Sequence, residues 1–527
     1  MGNVSIKFFL RRHALSCVLI VLLTPVYLAW GWSPYLGNFG GDAAIYMTTA
    51  QHYDERVPDP MMDRVAATSR FPPLYSAWLV GAGSAHDLRR AHAATVAALL
   101  LGLLALSTWS ITAGVKPPVA ALLSAFVALL PGTYFLALFP QSEYLYFFLS
   151  LVALACMERA VRGARRWFIA AAMAVGVAVL TRSIGIALVP ALIACAWRAR
   201  LAGKAIVLAL ALAPIAPAAL WVYRHPAPVG YGDVLQDFYG TEFLSALRRQ
   251  VLGEMEVLPF GFIGNFIQTS GLFPIAAALG ICCLAAGAVR WRRGAPDGWY
   301  IAAYLCIVAL WPFPVEVARL LWPIVPVMLG QSLLVLQSDT PLGGRMAATT
   351  GWLQFALCAG VATLIAPMLL FSVDRYSMGV AAGDGREHIP EWYVLDPHAA
   401  DNQARSHLAL EEFLGKLARS VPPSDCVISV KPPLLRFFAH RDGVTPPPPE
   451  VPDAQFSADI AASPCRYMLV LALKDDVYRS SLYPLRRLEG NFEIRDILAI
   501  PGADGRNQNL AVLLSRLPAT APTNEHS

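Results

Sequence analysis

Long apolar runs alternate with short polar segments along the first 371 residues of the chain. The run from Ala14 to Trp30 has the length that the hydrocarbon core of a bilayer requires, and further runs follow as far as Phe371. Basic clusters, such as ERAVRGARR at 158–166 and RWRR at 290–293, recur at alternate connections, as they do in cytoplasmic loops. The pattern predicts a polytopic α-helical membrane protein with about eleven spans and a cytoplasmic N-terminus.

The predicted spans alternate in direction, so the connections after odd-numbered spans face away from the cytoplasm. One run, 167–197, is too long for a single ordinary span and is interrupted by Thr181-Arg182-Ser183, which predicts two short helices that meet at the outer face. In chain order the expected spans are 14–30, 92–112, 118–139, 144–157, the two helices within 167–197, 205–223, 266–289, 299–313, 320–336 and 346–371. A secretory signal peptide is the alternative interpretation of the first run, although no A-x-A-like cleavage site follows Trp30.

The character of the chain changes at about Ser372. From there onward charge and proline increase, and no run is long enough to cross a membrane. Helical patterns at 404–420 and 433–439 alternate with strand patterns at 426–430, 467–473 and 511–515, around a proline-rich loop at 446–449. This alternation predicts a small α/β domain. We therefore expect a multi-pass protein of the bacterial inner membrane, with a membrane domain over 1–371 and a periplasmic soluble domain over 372–527.

Composition argues against an ordinary soluble protein, because 56% of the residues are hydrophobic and only 15% are charged, against about 25% charged in typical globular domains. The net charge of +5 is explained by basic cytoplasmic loops and requires no nucleic-acid partner. Most of the nine cysteines lie in apolar segments, where a thiol packs as a small hydrophobe. Cys426 and Cys465 lie in the polar C-terminal part, where an oxidising compartment permits a disulfide but does not require one.

Polar and ionisable residues recur at the outer ends of the predicted spans. Such residues are costly near a bilayer and are usually functional. Asp42 and Tyr46 lie in the first outer loop, which ends in a segment, RFPPLY, that contains Arg70 and Tyr75. The remaining candidates lie at the outer ends of later spans: Glu143, Arg182, Glu316 and Arg319. The topology therefore predicts that acids and arginines converge on one face of the membrane.

Five segments in the same order carry a resemblance to a known group of enzymes: GGDAAIY, RFPPLYSAWL, QSEYLYFFLSL, LTRSIGIALVPAL and VARLLWPIVPVML. With them the chain resembles the GT-C superfamily of glycosyltransferases, in the group that contains protein O-mannosyltransferases and the lipid A aminoarabinose transferase. The resemblance implies an integral membrane enzyme that transfers a sugar from a polyprenyl-phosphate donor to an extracytoplasmic acceptor. Such an enzyme needs no nucleotide on the outer side, which agrees with the lack of a P-loop or a Rossmann glycine fingerprint in the sequence.

The same resemblance implies roles for the outer polar residues. Asp42 would be the general base that deprotonates the acceptor hydroxyl, so that direct displacement inverts the anomeric centre. Glu143 would be the second acid, positioning the acceptor, the sugar or a metal. Arg182 and Arg319, with Arg70 as a further candidate, would hold the lipid phosphate. The expected substrate-binding residues are Tyr46, Tyr75 and Glu316.

One departure from the family's pattern concerns the first outer loop. Asp42 is followed by Ala43, where a second acid is usual, which puts a two-carboxylate metal site in doubt and leaves a divalent metal open. The plainer interpretations are that Asp42 caps a helix and that the arginines reach to lipid headgroups.

Two other functions remain open: a transporter or flippase of lipid-linked saccharides, and a non-catalytic partner in envelope assembly. Acids at the bilayer midplane would favour transport, and the spans contain few. The expected partners are the lipid-linked donor, the acceptor (a glycolipid, a polysaccharide or a protein hydroxyl) and membrane lipids. Neither the sugar nor the acceptor is determined by the sequence.

Overall fold

The fold is taken from a computed structural model. It describes residues 2–37, 42–55, 71–164, 166–200, 203, 212–225, 272–311, 314–337, 347–393, 396–447, 451–472, 485–502 and 506–517, together with 236, 239, 245, 247 and 248.

The N-terminal part of the chain is a bundle of apolar helices that correspond to apolar runs in the sequence. Five helical segments in the described ranges are long and apolar enough to cross a membrane: Arg12–Gly31, Leu88–Ala113, Glu143–Val161, Phe273–Arg292 and Ala356–Ala382. Four shorter apolar helices accompany them: Pro117–Leu129, Trp167–Thr181, Ser183–Arg198 and Val325–Gln337. The chain is therefore a membrane protein, and the number of eleven spans stays a prediction.

We number in chain order the α-helices of this part whose bounds lie in the described residues. They are α1 (Gly2–Gly31), α2 (Ala43–Asp54), α3 (Leu74–Gly81), α4 (Leu88–Ala113), α5 (Pro117–Leu129), α6 (Pro131–Leu136), α7 (Glu143–Val161), α8 (Trp167–Thr181), α9 (Leu188–Arg198), α10 (Ala216–Arg224), α11 (Phe273–Arg292), α12 (Pro296–Val308), α13 (Pro314–Leu321), α14 (Val325–Gln337) and α15 (Ala347–Ala382).

Several helix boundaries differ from the predicted ones for identifiable reasons. The predicted span 118–139 is interrupted at Leu130, which has an extended backbone because Pro131 cannot continue the preceding helix. The predicted interruption at Arg182 is confirmed: α8 ends there, and a 3₁₀ turn, Ser183–Ala187, leads into α9. Helix α15 continues beyond Phe371 to Ala382 and ends at Gly383, which has φ +70°.

The described residues of the C-terminal part form three further α-helices and a five-stranded sheet. Its elements are α16 (Pro397–Ser420), β1 (Val427–Ser429), α17 (Pro432–Ala439), β2 (Gly443–Val444), α18 (Asp453–Ala462), β3 (Tyr467–Leu471), β4 (Phe492–Pro501) and β5 (Asn507–Arg516). The strand order is β2-β1-β3-β5-β4. β1 is parallel to β2 and β3, whereas β5 is antiparallel to β3 and β4. The predicted α/β class is confirmed.

A disulfide joins Cys426 and Cys465 across 39 positions of sequence. The two cysteines come just before β1 and β3, and these strands are parallel neighbours in which Val427 lies opposite Tyr467. Parallel pairing brings the starts of the two strands to one edge of the sheet, which places the thiols side by side. The sequence leaves open whether the two cysteines are bonded to each other, and the structure shows that they are.

The C-terminal part of the chain packs against α2, the helix that follows α1 in the described residues. Helix α17 contacts α2, and both contribute side chains to one continuous apolar core. Just before α2, the backbone N–H of Leu36 donates a hydrogen bond of 2.9 Å to Oε1 of Glu411 on α16. These contacts hold α2, and with it the start of the predicted site, between the two parts of the chain.

Candidate functional site

Asp42 lies at the N-cap position of α2, but its carboxylate does not cap the helix. Oδ2 instead accepts a hydrogen bond of 3.1 Å from Nη2 of Arg319. Both side chains are about one-fifth exposed, at 19% and 18%. Asp42 therefore occupies the cap position of α2, but its carboxylate contacts Arg319 and not the backbone of the helix.

Glu143 is the first residue of α7, and its side chain is almost fully buried, with 2% exposed. Its Oε1 lies 2.6 Å from Nη1 of Arg182 and 3.2 Å from Nε of Arg319. One buried carboxylate oxygen thus pairs with two guanidinium groups. Burial of a single carboxylate would be very costly, and the two arginines together with the N-terminal end of α7 offset that cost.

Arg182 occupies the extended connection between α8 and the 3₁₀ turn that follows. The N–H of Gly185 donates a hydrogen bond of 2.8 Å to the carbonyl of Arg182, which closes the turn. A Cβ at Gly185 would lie 2.8 Å from the backbone nitrogen of Val179 and 2.9 Å from the carbonyl of Ala178. Only glycine fits this close approach without a shift of backbone, so Gly185 sets the position of Arg182.

Arg319 lies in the last turn of α13, and buried aromatic residues hold the chain that directly follows it. The hydroxyl of Tyr304 donates a hydrogen bond of 2.6 Å to the carbonyl of Leu320. The ring of Trp322 packs edge-to-face on Tyr144 and Phe147, with centroids 5.1 Å from each. Arg319 is therefore presented from a rigid support.

Tyr46 lies one helical turn after Asp42, and the hydroxyls of Tyr46 and Ser142 are 2.8 Å apart. Its ring packs edge-to-face on Tyr75 and Phe71, at 4.8 Å and 5.4 Å between centroids. Burial, with the nearby Asp42 carboxylate second, raises the pKa of Tyr46 well above its usual value, so the hydroxyl stays protonated.

Together these contacts form a closed ring, which we call the polar ring. It runs through Asp42, Arg319, Glu143, Arg182, Ser142 and Tyr46, and the first turn of α2 returns it to Asp42 through the bond from the N–H of Tyr46 to the carbonyl of Asp42. It contains two carboxylates and two guanidiniums, so its formal charges balance. The ring joins α2, the start of α7, the α8–α9 connection and α13.

The structure brings most of the predicted site residues together. Those in the polar ring are Asp42, Tyr46, Glu143, Arg182 and Arg319. Tyr75 lies beside the ring, fully buried, and its hydroxyl is 2.7 Å from that of Thr95. Arg70 lies outside the described residues; Glu316 belongs to α13, and its side chain lies outside the described part.

Sequence reasoning did not assign Ser142 to the site. Nη1 of Arg182 donates a hydrogen bond of 3.1 Å to its Oγ. The only signal in the sequence is a serine directly before Glu143, which is also what an ordinary helix start looks like. Its role follows from the position of α2 and α8, which the sequence pattern does not specify.

A two-carboxylate metal site does not fit the polar ring. Asp42 is paired with Arg319, and Glu143 is paired with both arginines, so a divalent cation would have to displace a guanidinium. Elsewhere in the described ranges, no group of three or more His, Cys, Asp or Glu side chains is arranged to hold a metal ion.

Comparisons with known proteins find similarity in structure. No known protein-family profile and no curated protein sequence matches the chain. ArnT from Cupriavidus metallidurans, solved with bound undecaprenyl phosphate, aligns over 94% of this chain and 97% of its own, with a TM-score of 0.50 and 16% identity. The archaeal oligosaccharyltransferase AglB from Archaeoglobus fulgidus, solved with an inhibitory peptide and a dolichol-phosphate, aligns over 96% of this chain and 75% of its own, with a TM-score of 0.49 and 11% identity. At this level of identity the likeness to ArnT shows the fold alone, and a shared fold agrees with the resemblance that the sequence motifs carry.

Proposed function

We propose that the protein is a membrane glycosyltransferase that moves a sugar from a polyprenyl-phosphate donor to an extracytoplasmic acceptor. The observation that carries the proposal is the polar ring, in which two guanidiniums share one buried carboxylate beside a more exposed aspartate. Such a site offers cations for a phosphate and a base for a hydroxyl. Support also comes from the fold, which is that of a protein solved with bound undecaprenyl phosphate.

Arg182 and Arg319 are proposed to bind the phosphate of the donor. A guanidinium pairs with phosphate oxygens through two parallel hydrogen bonds and keeps its charge at every physiological pH. The phosphodiester of the donor gains negative charge as the bond to the sugar breaks. Cations fixed in place before the reaction stabilise that charge without having to reorganise. Arg70 remains a further candidate for the same contact.

Asp42 is proposed to act as the general base. Its carboxylate takes the proton of the acceptor hydroxyl while the acceptor oxygen attacks the anomeric carbon from the face opposite the phosphate. The bond from that carbon to the phosphate oxygen breaks, and its electron pair leaves with the polyprenyl phosphate. The product carries the inverted configuration. Asp42 suits this role because it is the more exposed acid of the ring, whereas Glu143 is buried.

The hydrogen bond between Arg319 and Asp42 gives a reason for donor binding to precede catalysis. The guanidinium of Arg319 is held by the carboxylate that is needed as the base. A phosphate that takes over Arg319 releases Asp42. Tyr46, Tyr75 and Glu316 are proposed to shape the substrate site, with Tyr75 acting through Tyr46 because its own side chain is fully buried.

We also propose that the polar ring faces away from the cytoplasm and that residues 372–527 are periplasmic. The alternation of basic loops supports this orientation. The disulfide supports it independently, since such bonds persist in oxidising compartments. A flippase would instead need polar groups along its path through the bilayer, whereas the ring lies at helix ends and connections.

The experiment that tests the proposal uses the purified full-length protein in lipid nanodiscs. It is supplied with a panel of undecaprenyl-phosphate sugars and with envelope extract as the source of acceptor, and released undecaprenyl phosphate is measured by mass spectrometry. Protein-dependent release with at least one sugar, together with a new glycan in the extract, is the expected result. Movement of intact donor across liposomes with no release from any member of the panel would establish the transport alternative.

A further inference from the structure

Ser142 lies at the N-cap position of α7, yet its hydroxyl makes no capping bond to the helix. A serine at this position ordinarily accepts a hydrogen bond from a backbone N–H of the first turn, which stabilises the helix by about 1 kcal/mol. The residue is fully buried. Its hydroxyl therefore bonds to partners outside the first turn of α7 and not to the backbone of that turn.

Those partners belong to the polar ring. The oxygen of Ser142 accepts a hydrogen bond of 3.1 Å from Nη1 of Arg182, and it lies 2.8 Å from the hydroxyl of Tyr46. A hydroxyl has one proton and two lone pairs, so it can serve both partners at once. Nη1 of Arg182 also lies 2.6 Å from Oε1 of Glu143. Nη1 thus makes a hydrogen bond with Ser142 and an ion pair with Glu143.

This arrangement fixes the rotation of the guanidinium plane. A single ion pair with Glu143 would let the planar group turn about the contact, whereas the added hydrogen bond from Nη1 to Ser142 restricts that turn. The opposite edge, formed by Nε and Nη2, is then the edge that can make a bidentate contact with a phosphate. Through Tyr46 the same hydroxyl is tied to α2, the helix that begins after Asp42.

We propose that Ser142 is a positioning residue that orients Arg182 toward the donor phosphate and links it to the helix of the base. The proposal rests on the proposed function, because that function supplies the phosphate. The role of Ser142 is additional to that function, because the Ser142 hydroxyl would orient Arg182 without contacting the donor or the acceptor itself.

The test compares Ser142→Ala with Ser150→Ala. Ser150 is a fully buried serine two turns further along α7, and its hydroxyl donates to the carbonyl of Phe147 at 3.0 Å. Loss of a hydrogen bond to a charged group is expected to raise the KM for the undecaprenyl-phosphate sugar at least tenfold in S142A, with a smaller change in kcat. S150A is expected to leave both constants within about twofold of the wild type. Ser142→Thr, which keeps the hydroxyl, is expected to recover most of the loss.

A second variant distinguishes a positioning role of Ser142 from a general loss of stability. Tyr46→Phe removes the other bond of the Ser142 hydroxyl, so in a shared relay the effects of Y46F and S142A on KM should be clearly less than additive. Thermal unfolding of each variant shows whether it is folded. If the wild type turns over the donor while folded S142A matches S150A in KM, Ser142 has no positioning role. If the wild type neither binds nor turns over any donor, the proposed function fails and takes this inference with it.

Discussion

Nη2 of Arg319 lies 3.1 Å from Oδ2 of Asp42, although the two residues are 277 positions apart in the chain. One side chain begins the first helix after the N-terminal span, and the other ends a short helix near the end of the membrane part. Their contact closes the polar ring. It makes the availability of the proposed base depend on what else Arg319 can bind.

Replacement of Arg319 tests this dependence. Arg319→Ala is expected to lower kcat/KM for the donor by about 100-fold or more, because a charge-assisted contact to phosphate contributes roughly 1.5–3 kcal/mol and the leaving group loses a cation. Arg90→Ala is the matched control, since Arg90 is an arginine with a 65% exposed side chain that pairs with Asp87 at the start of α4. Initial rates at several donor concentrations measure the effect. Equal rates for R319A and R90A would contradict the assignment of Arg319.

Gly185 tests whether the turn after α8 positions Arg182. Gly185→Ala forces a methyl group against the backbone of α8, so it is expected to shift Arg182 and weaken donor binding about tenfold with the ring residues intact. Gly415→Ala is the control, since a Cβ there meets no atom within 4 Å and alanine favours its helix, α16. The measurement is the shift in melting temperature on adding undecaprenyl phosphate. The account fails if G185A and G415A give the same shift as the wild type.

The sequence could predict that the residues of the polar ring converge, because this prediction requires only the side of the membrane on which each residue lies. Alternating basic loops assign that side to Asp42, Glu143, Arg182 and Arg319 without knowledge of any contact. Which acid pairs with which arginine depends on helix packing in three dimensions. That packing is set by contacts such as Gly102 against the ring of Phe147, where a Cβ would approach to 2.5 Å.

The sequence pattern does not predict those helices and strands whose buried residues follow no simple period. β4 is an edge strand exposed along most of its length, so it lacks the alternation that identifies a half-buried strand. Helix α18 buries only Phe456 and Ile460, which is too few positions to define a helical stripe. The sequence predicts the end of α15 at Phe371 because the apolar run stops there, whereas the helix itself continues to Ala382.

His407 on α16 lies beside the contact between the two parts of the chain, and we expect it to make the stability of the protein depend on pH. Its Nδ1 lies 3.1 Å from Glu391 and its Nε2 lies 3.2 Å from Glu411, the residue that also binds the N–H of Leu36. Burial acts to lower the pKa of His407, but the two carboxylates outweigh it and raise the pKa from 6.5 to about 9. The folded-state pKa lies above the unfolded value. The stabilisation is therefore complete below pH 6.5 and is lost as pH rises through 9.

The expected result is a fall in the melting temperature of the purified protein between about pH 6.5 and 9, corresponding to at most about 3 kcal/mol. His407→Gln should be less stable at low pH and should lose this pH dependence. Scanning fluorimetry in one detergent across the pH range measures both. A variant whose melting temperature falls as steeply as that of the wild type would show that another group is responsible.

The disulfide gives a prediction for the soluble part alone. Closing a loop of 39 positions is expected to stabilise the soluble domain by about 4 kcal/mol relative to the reduced chain, from the lost freedom of the unfolded state. Cys426→Ser with Cys465→Ser should therefore increase proteolysis of the C-terminal part under oxidising conditions. Cys282→Ser, which removes an exposed free thiol of α11, is the control and should change nothing. Identical digestion of the double variant and the wild type would contradict this expectation.

The central claim is that the polar ring transfers a sugar with Asp42 as its base, and the most direct measurement is the turnover of Asp42→Asn. Asparagine keeps the size of the side chain but cannot take a proton at neutral pH. Asp54→Asn, at the other end of α2, is the matched control, because Asp54 pairs with the half-exposed His86 outside the ring. We expect D42N to release undecaprenyl phosphate from the lipid-linked sugar about 100- to 10,000-fold more slowly than the wild type, with D54N unchanged. Wild-type turnover by folded D42N would contradict the account.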